Sequence, residues 1–131
     1  VACGPGLGRS TGLVELVTEL YRNLELPLVV DADGLHALAQ DTNQSWLDAT
    51  AGPRVLTPHP GEMSRLINSE GLIQRRLEVA ENFSKEKQVI LVLKGHATVV
   101  TDGEKIAINV PDEVTNGSRI QPISFLSHRV R

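Results

Sequence analysis

The sequence predicts an α/β fold, a three-layer sandwich around a mostly parallel sheet, on three observations. Two uninterrupted apolar runs of strand length, within Pro27–Asp31 and Val89–Leu93, have the character of strands buried on both faces. The segments between such runs carry apolar residues at helical spacing, and strands alternating with helices favour a parallel sheet covered on both sides. A hairpin signal, Asp102-Gly103 between two apolar stretches, closes the sheet with an antiparallel pair.

The chain opens with a short apolar segment that runs into Gly4-Pro5-Gly6-Leu7-Gly8, a strand end followed by a tight glycine loop. Ser10 or Thr11 can cap the next helix, whose apolar positions Leu13, Leu16, Val17, Leu20, Tyr21 and Leu24 keep a helical period. A strand over Leu28–Asp31 ends in Asp31-Ala32-Asp33-Gly34. Two short helical stretches, Leu35–Gln40 and Gln44–Thr50, lead to the strand Arg54–Thr57, which stops at Pro58-His59-Pro60-Gly61. One helix starts near Gly61, and a longer one covers Leu72–Lys87 with Ile73, Leu77, Ala80 and Phe83 inward. The strand Val89–Leu93 delivers Lys94-Gly95-His96, and Thr98–Thr101 and Glu104–Ile108 form the hairpin. From Val110 the character changes: Pro111, Asn116-Gly117 and Pro122 interrupt the segment, and no amphipathic period reaches Arg131. Residues 1–109 are read as one partial domain and 110–131 as a divergent, loosely ordered tail.

With 131 residues, 40% of them hydrophobic, the chain can bury one ordinary core. A net charge of −3 leaves no basic surplus for a nucleic-acid backbone or an anionic membrane. One Trp, one Tyr and two Phe give no platform for stacking bases. The longest apolar runs are far too short to cross a bilayer. Cys3, the single cysteine, cannot form an internal disulfide, which fits a reducing, cytoplasmic setting. The start Val1-Ala2-Cys3-Gly4 carries neither a methionine nor a targeting signal, so the true N-terminus is expected to be missing. A small soluble ligand is the expected partner.

In doubly wound sheets ligands bind beyond the carboxyl ends of the strands, and four loops at such ends hold the unusual residues. Glycines at 4, 6 and 8 let the backbone approach a phosphate or a flat ring; the plainer reading is a sharp turn. Asp31 and Asp33 can hold Mg²⁺ through water or accept ligand hydroxyls, and equally one of them can cap the next helix. Two prolines stiffen the loop that presents His59 and Glu62, which favours a ligand role over a mere helix start with Glu62 in its first turn. Lys94 is a point charge suited to phosphate, followed by Gly95 for close backbone approach and Thr98 as a hydroxyl donor, or else a solvated strand end. His36 and His128 read as surface or satisfied side chains, and Cys3 as a small core residue. No cluster is assigned as a direct metal site.

Together the strings Gly4-Pro5-Gly6-Leu7-Gly8-Arg9, Val30-Asp31-Ala32-Asp33-Gly34-Leu35, Leu56-Thr57-Pro58-His59-Pro60-Gly61-Glu62 and Val92-Leu93-Lys94-Gly95-His96-Ala97-Thr98 are far more specific than any one alone. In that order and spacing they resemble the NAD(P)H-hydrate dehydratase family over residues 1–109. The resemblance implies a ribokinase-like fold and a cytoplasmic repair lyase that removes water from the hydrated nicotinamide ring of NADH or NADPH. Such enzymes use ADP or ATP with Mg²⁺: phosphorylation of the ring hydroxyl makes it a good leaving group, and elimination restores the dihydropyridine. Carried over by motif, the loop around Gly6 and the loop bearing His59 contact the hydrated dinucleotide, with Asp33 and Glu62 at the same rim. Lys94, Gly95, His96, Ala97 and Thr98 contact the adenine nucleotide. An NAD(P)H-hydrate epimerase is the implied functional partner, and a homo-oligomer is compatible with the family.

Departures from the family pattern are equally specific. After the strand corresponding to Lys105–Asn109 the family has a stretch of the form Gly-Asn-Pro-Gly-Met-Ala-Thr-Gly-Gly-Ser-Gly-Asp, whose amides form an anion hole and whose last Asp is the expected base. Here Val110–Ser118 stands in that place with one glycine and no Gly-Asp pair, so no catalytic residue is assigned, to Asp112 and Glu113 included. The family also has strand-helix units ahead of the glycine loop, so the sheet is expected to be incomplete at both ends, with poorly covered edges. Two other readings stand beside the dehydratase. One is a ribokinase-like kinase of a small hydroxylated heterocycle such as a vitamin precursor, against which the Pro58–Glu62 string argues. The other is a non-catalytic nucleotide-binding remnant, which the missing Gly-Asp stretch favours for this polypeptide.

Overall fold

Leu28-Val29-Val30, Arg54-Val55-Leu56 and Ile90-Leu91-Val92-Leu93 are rich in β-branched and large apolar residues, which suit a pleated, buried ladder. In the computed structural model each is a strand, and the structure describes residues 1–42, 46, 49–71, 74–110 and 124–127. The elements run β1 (Ala2–Cys3), α1 (Thr11–Asn23), β2 (Leu28–Val30), α2 (Asp33–Gln40), β3 (Arg54–Leu56), α3 (Pro60–Ile67), α4 (Arg76–Lys87), β4 (Ile90–Leu93), β5 (Thr98–Thr101), β6 (Lys105–Asn109) and β7 (Ser124–Ser127). Strands β1 to β7 lie side by side in chain order in one sheet. Pairing is parallel from β1 to β4 and antiparallel from β4 to β7.

The antiparallel part is larger than the single hairpin that the sequence signals. Ser124–Ser127 lies in the segment read as a loosely ordered tail, yet it pairs with β6 from Lys105↔Ser127 to Ile108↔Ser124. Four residues without polar alternation give no strand signal of their own, and the ladder to β6 orders them. Residues 111–123 and 128–131 of that tail, with His128, Asp112 and Glu113, fall outside the described residues, as does most of the helix expected at Gln44–Thr50.

In-register partners share a face, so the burial pattern assigns the two sides of the sheet. Leu28, Val30, Leu56, Leu91, Leu93, Val99 and Ile106 all project to one side and join Val17 and Tyr21 of α1, Leu35 and Leu38 of α2, Met63 of α3 and Phe83 of α4 in one core. The other face carries Val29 and Ile90, which remain 36% and 41% exposed. The described residues thus supply the sheet and one helical layer. Trp46, stacked edge-on to Tyr21 and beside Phe83, joins α1 to α4.

Two helices turn a different stripe inward from the one their sequences suggest. In α1 the buried positions are Val17, Thr18 and Tyr21, while Leu16 is half exposed. In α4 they are Ala80, Phe83 and Ser84, while Leu77 is exposed; the helix begins at Arg76, and Leu72 and Ile73 lie outside the described residues. Both helices offered two overlapping apolar stripes, and packing against the sheet selects one. The hairpin turn is also wider than the two-residue turn expected at Asp102-Gly103: the last pair is Thr101↔Ile106, and the Asp102 carboxylate accepts the amides of Lys105 and Glu104, which holds its pKa below the ordinary value.

Arg54 sits on the packed face of β3 with 1% of its surface exposed. Its guanidinium donates from Nε to the Tyr21 carbonyl at 2.6 Å and from its terminal nitrogens to the carbonyls of Leu24 at 2.6 Å, Pro53 at 2.9 Å and Leu26 at 3.3 Å. These include the otherwise orphaned carbonyls at the end of α1, so a strand residue caps a helix and cancels the negative end of its dipole. Lysine has no planar fork to reach them all at once. Arg54→Lys is expected to lower the unfolding free energy by about 2–3 kcal/mol, measured as a shift in the urea midpoint at constant slope. An unchanged midpoint would show that water satisfies those carbonyls equally well.

Candidate functional site

The parallel ladder continues past the strand ends and ties the loops together. The Asp31 amide donates to the Cys3 carbonyl at 3.0 Å, Thr57 to Val30 at 3.2 Å, and Lys94 to Pro58 at 2.9 Å. All four loops therefore leave the sheet on one rim. Gly4 makes the first junction possible, because a Cβ there would stand 1.7 Å from the Asp31 carbonyl oxygen. The next two loops connect through a side chain: the Gly8 amide donates to the Asp33 carboxylate at 3.0 Å. Between the two aspartates Ala32 takes φ 46°, a left-handed conformation costly for a residue with a side chain and of the kind that clusters at functional sites.

Asp33, His59, Glu62 and Lys94 line one cavity of about 270 Å³ at this rim. Asp31, Arg9, His36 and Arg65 share its walls. Gly6 and Gly95 through Thr98, expected at the same site, flank the rim and are not part of this wall. His36, read as a surface or a satisfied side chain, is not satisfied: it is a half-buried cavity residue whose buried Nδ1 has no hydrogen-bond partner among the described residues.

Charges at the rim are largely paired. The Lys94 ammonium donates to the Asp31 carboxylate at 3.0 Å. Burial pushes the Asp31 pKa up, but hydrogen bonds from Lys94, the Ala32 amide and the Thr57 hydroxyl outweigh it and hold the group below its ordinary value. Asp31 is thus ionised, and its pair with Lys94 intact, throughout the neutral range. Arg9 approaches Asp33 at the longer distance of 3.8 Å, with its own side chain 68% exposed. No group of three or more His, Cys, Asp or Glu among the described residues is arranged to hold a metal ion directly.

The proline-flanked loop shows why His59 and Glu62 are presented together. The His59 ring accepts the Glu62 amide at 3.2 Å, and the Glu62 carboxylate accepts the His59 amide at 3.0 Å, a reciprocal cap that starts α3 with Pro60 in its first turn. Glu62 is buried in this cap, whereas the His59 side chain stays 54% exposed to the cavity. The helix-start role and a cavity-lining histidine coexist in one loop.

Arg76, which the sequence reading passed over, shapes the Lys94–Thr98 loop. Its guanidinium donates to the carbonyls of Ala97 at 2.7 Å, Lys94 at 3.0 Å and Leu93 at 3.1 Å. Gly95 admits it, since a Cβ there would meet the guanidinium at 2.6 Å. One signal existed: an arginine at the start of a helix is unfavourable toward the helix dipole, so its charge is expected to be used elsewhere.

With this geometry in view, the comparisons with known proteins are decisive. A family profile described as NAD(P)H-hydrate dehydratase matches residues 1–117. The chain belongs to the NAD(P)H-hydrate dehydratase family. It is 47% identical over 108 residues to a bifunctional NAD(P)H-hydrate repair enzyme Nnr of Moorella thermoacetica, covering 79% of this chain and 20% of that protein. Among solved structures it resembles an ADP/ATP-dependent NAD(P)H-hydrate dehydratase from Bacillus subtilis, co-crystallized with ATP/Mg²⁺ and soaked with CoA, at a TM-score of 0.67 and 33% identity over 86% of this chain and 40% of that one. A ribokinase-like superfamily protein from Enterococcus faecalis, 22% identical with a TM-score of 0.61 over 76% of this chain and 34% of that one, shares the fold. The α/β, ribokinase-like architecture expected from the motifs is the one observed. Within the dehydratase family frame, this chain spans only a minor part of the relatives it matches.

Arg76→Ala is expected to free the Lys94–Thr98 loop while leaving the core intact. Amide exchange at 95–98 should then quicken by about tenfold or more, since a charged hydrogen bond contributes about 1.5–3 kcal/mol. Exchange rates matching the parent would show that the loop holds its shape without the guanidinium.

Proposed function

We infer that this chain forms the ligand rim of an enzyme that dehydrates NAD(P)H hydrate at the expense of ADP or ATP. The observation that carries the reading is the convergence of Asp33, His59, Glu62 and Lys94 on one cavity beside the glycine loop, in a member of this family. The loop around Gly6 and the exposed His59 ring face the hydrated nicotinamide half, while Lys94, Gly95, His96, Ala97 and Thr98 take the adenine nucleotide. In the reaction the ring hydroxyl oxygen attacks the terminal phosphorus of the nucleotide, forming the phosphate ester as the bridging P–O bond breaks and AMP leaves from ADP, or ADP from ATP. The carbon–oxygen bond then breaks, inorganic phosphate leaves, and loss of a ring proton restores the dihydropyridine.

Within that scheme Lys94 has a double tie. Its ammonium already serves Asp31, so a phosphate at this loop competes for the same charge or shares it. Asp31 and Asp33 are committed to Lys94, Gly8 and Arg9, so Mg²⁺ fits here only as an ion carried on the nucleotide phosphates, with these carboxylates reaching it through water. Bound there, the ion would offset phosphate charge. The proton-abstracting group is left unassigned: the sequence after β6 has no Gly-Asp stretch. The kinase reading is the weaker one, since likenesses to kinases at 19% identity carry the fold alone.

The relatives' description as bifunctional repair enzymes supports a working partnership with an NAD(P)H-hydrate epimerase. A cytoplasmic setting is supported by the single cysteine, whose thiol burial pushes above its ordinary pKa and so keeps it unreactive. None of the helices in the described residues is long and apolar enough to cross a membrane. A homo-oligomer and a division into residues 1–109 and a divergent 110–131 complete the proposal.

Calorimetric titration with Mg-ADP and Mg-ATP should show Lys94→Ala binding about tenfold more weakly than the parent chain; equal affinity would reduce Lys94 to a solvated strand end. Mixed with nucleotide, Mg²⁺ and hydrated cofactor, the 131-residue chain should restore reduced-nicotinamide absorbance about 10²–10⁴-fold more slowly than a complete family member, the usual value of a positioned acid-base group. Turnover at the full rate would show that another group of this chain replaces the absent base.

A further inference from the structure

Three carboxylates line the rim cavity, Asp31, Asp33 and Glu62. Two of them serve backbone: Asp33 accepts the Gly8 amide at 3.0 Å, and Glu62 accepts the His59 amide at 3.0 Å inside the cap of α3. Asp31 is used differently, because its carboxylate takes a hydrogen bond from the Lys94 ammonium at 3.0 Å. For a lysine suited to phosphate this is an unhelpful neighbour. A carboxylate occupies part of the ammonium and repels an incoming anion, so the pair weakens the contact that the lysine is placed to make.

The frame lets these two side chains part while both loops stay in place. The Asp31 amide is held by the Cys3 carbonyl, and the Asp31 carbonyl accepts the Gly34 amide at 2.9 Å. On the other side the Lys94 amide is held by the Pro58 carbonyl, and the Lys94 carbonyl by the Arg76 guanidinium. Both side chains are half-exposed, and an ion pair in that setting is weak. If Lys94 turns away, Asp31 keeps the Ala32 amide and the Thr57 hydroxyl as donors and needs no new partner. The ammonium has three hydrogens to give, and Asp31 is its one partner among the described residues. Charge then decides what takes the lysine. Another carboxylate offers no more than Asp31 does, whereas a terminal phosphate brings close to two charges and three acceptor oxygens.

We propose that Asp31 is a counter-ion gate on Lys94: it holds the ammonium until a phosphate-bearing ligand takes it, and so lowers the affinity of the loop for phosphate instead of adding to it. The gate rests on the reading of Lys94–Thr98 as the phosphate loop, and it adds the residue that limits how tightly that loop binds. Asp31 stays ionised throughout the neutral range, so the gate is set at every pH in that range. Its effect is one of charge and passes through Lys94 alone, since the Asp31 backbone keeps its place in the ladder whether or not the lysine is released.

The test is calorimetry of the full chain with ADP in the absence of divalent metal, which would otherwise offset the charge of Asp31. Four proteins are compared: the parent, Asp31→Asn, Lys94→Ala and the double variant. Asp31→Asn should bind ADP about three- to fivefold more tightly than the parent, and Lys94→Ala about tenfold more weakly. In the Lys94→Ala background the gain from Asp31→Asn should shrink to less than about twofold, because what remains is bare repulsion screened at a half-exposed site. Thermal melts report the folded fraction of each protein, and Asp31→Ser, with the same expected gain, replaces the asparagine variant if that one does not fold. Unchanged or weaker ADP binding by Asp31→Asn, or an equal gain with and without Lys94, overturns the gate while the phosphate-loop reading stands. Equal affinity of the parent and Lys94→Ala, or no ADP binding by any of the four, overturns both.

Discussion

Everything at the rim depends on one constraint, the continuation of the parallel ladder beyond the ends of β1 to β4. Cys3, Val30 and Pro58 each offer a carbonyl to the amide of a loop residue on the next strand, Asp31, Thr57 and Lys94. Backbone bonds of this kind cannot slide by one residue without sending the Leu28, Val30, Leu56 and Leu91 side chains to the opposite face. Core packing therefore fixes the register, and the register fixes where the four loops end. The Lys94–Asp31 pair is a consequence: it joins the loops after β4 and β2 across the loop between them, and two half-exposed groups meet at 3.0 Å because the ladder has already placed both.

The helical layer is bound to that ladder by two arginines used in the same way. Arg54 reaches from β3 to the carbonyl end of α1, and Arg76 reaches from the start of α4 to the carbonyls around Lys94. Each guanidinium replaces water at several backbone acceptors at once, which a single planar fork can do and a lysine cannot. Arg54 thereby ties the carboxyl end of α1 to the sheet. Arg76 positions the loop assigned to the nucleotide. Neither residue touches the rim cavity, yet Arg76 holds the backbone of Lys94, which forms part of its wall.

What could be read from the sequence follows from which interactions are local. The strands Leu28–Val30, Arg54–Leu56 and Ile90–Leu93 and the start of α3 at Pro60 came from short runs and turn chemistry that carry their own signal. The rim also followed, because loops at the carboxyl ends of parallel strands share a side by topology alone. The pairing of Lys94 with Asp31 did not: 63 residues separate them, and an expected phosphate charge turned out to have a carboxylate partner. His36, read as a surface or a satisfied side chain, lines two cavities because α2 begins at Asp33 and turns that face toward α1. Leu16 and Leu77 were placed inward by a periodicity that fits two adjacent stripes, and only the sheet could choose between them. The strand at Ser124–Ser127 owes its form to β6, an influence that no window of its own sequence contains.

If the four loops act as one site, occupancy must be felt at all of them together. Amide hydrogen exchange of the chain with Mg-ADP and NADH hydrate, against the chain alone, reads this loop by loop. The account predicts concerted protection at Gly4–Gly8, Asp31–Gly34, Pro58–Glu62 and Lys94–Thr98, with the opposite ends of the same strands unchanged. Protection limited to Lys94–Thr98, or appearing at the far end of the sheet around Asp102–Lys105, would contradict it.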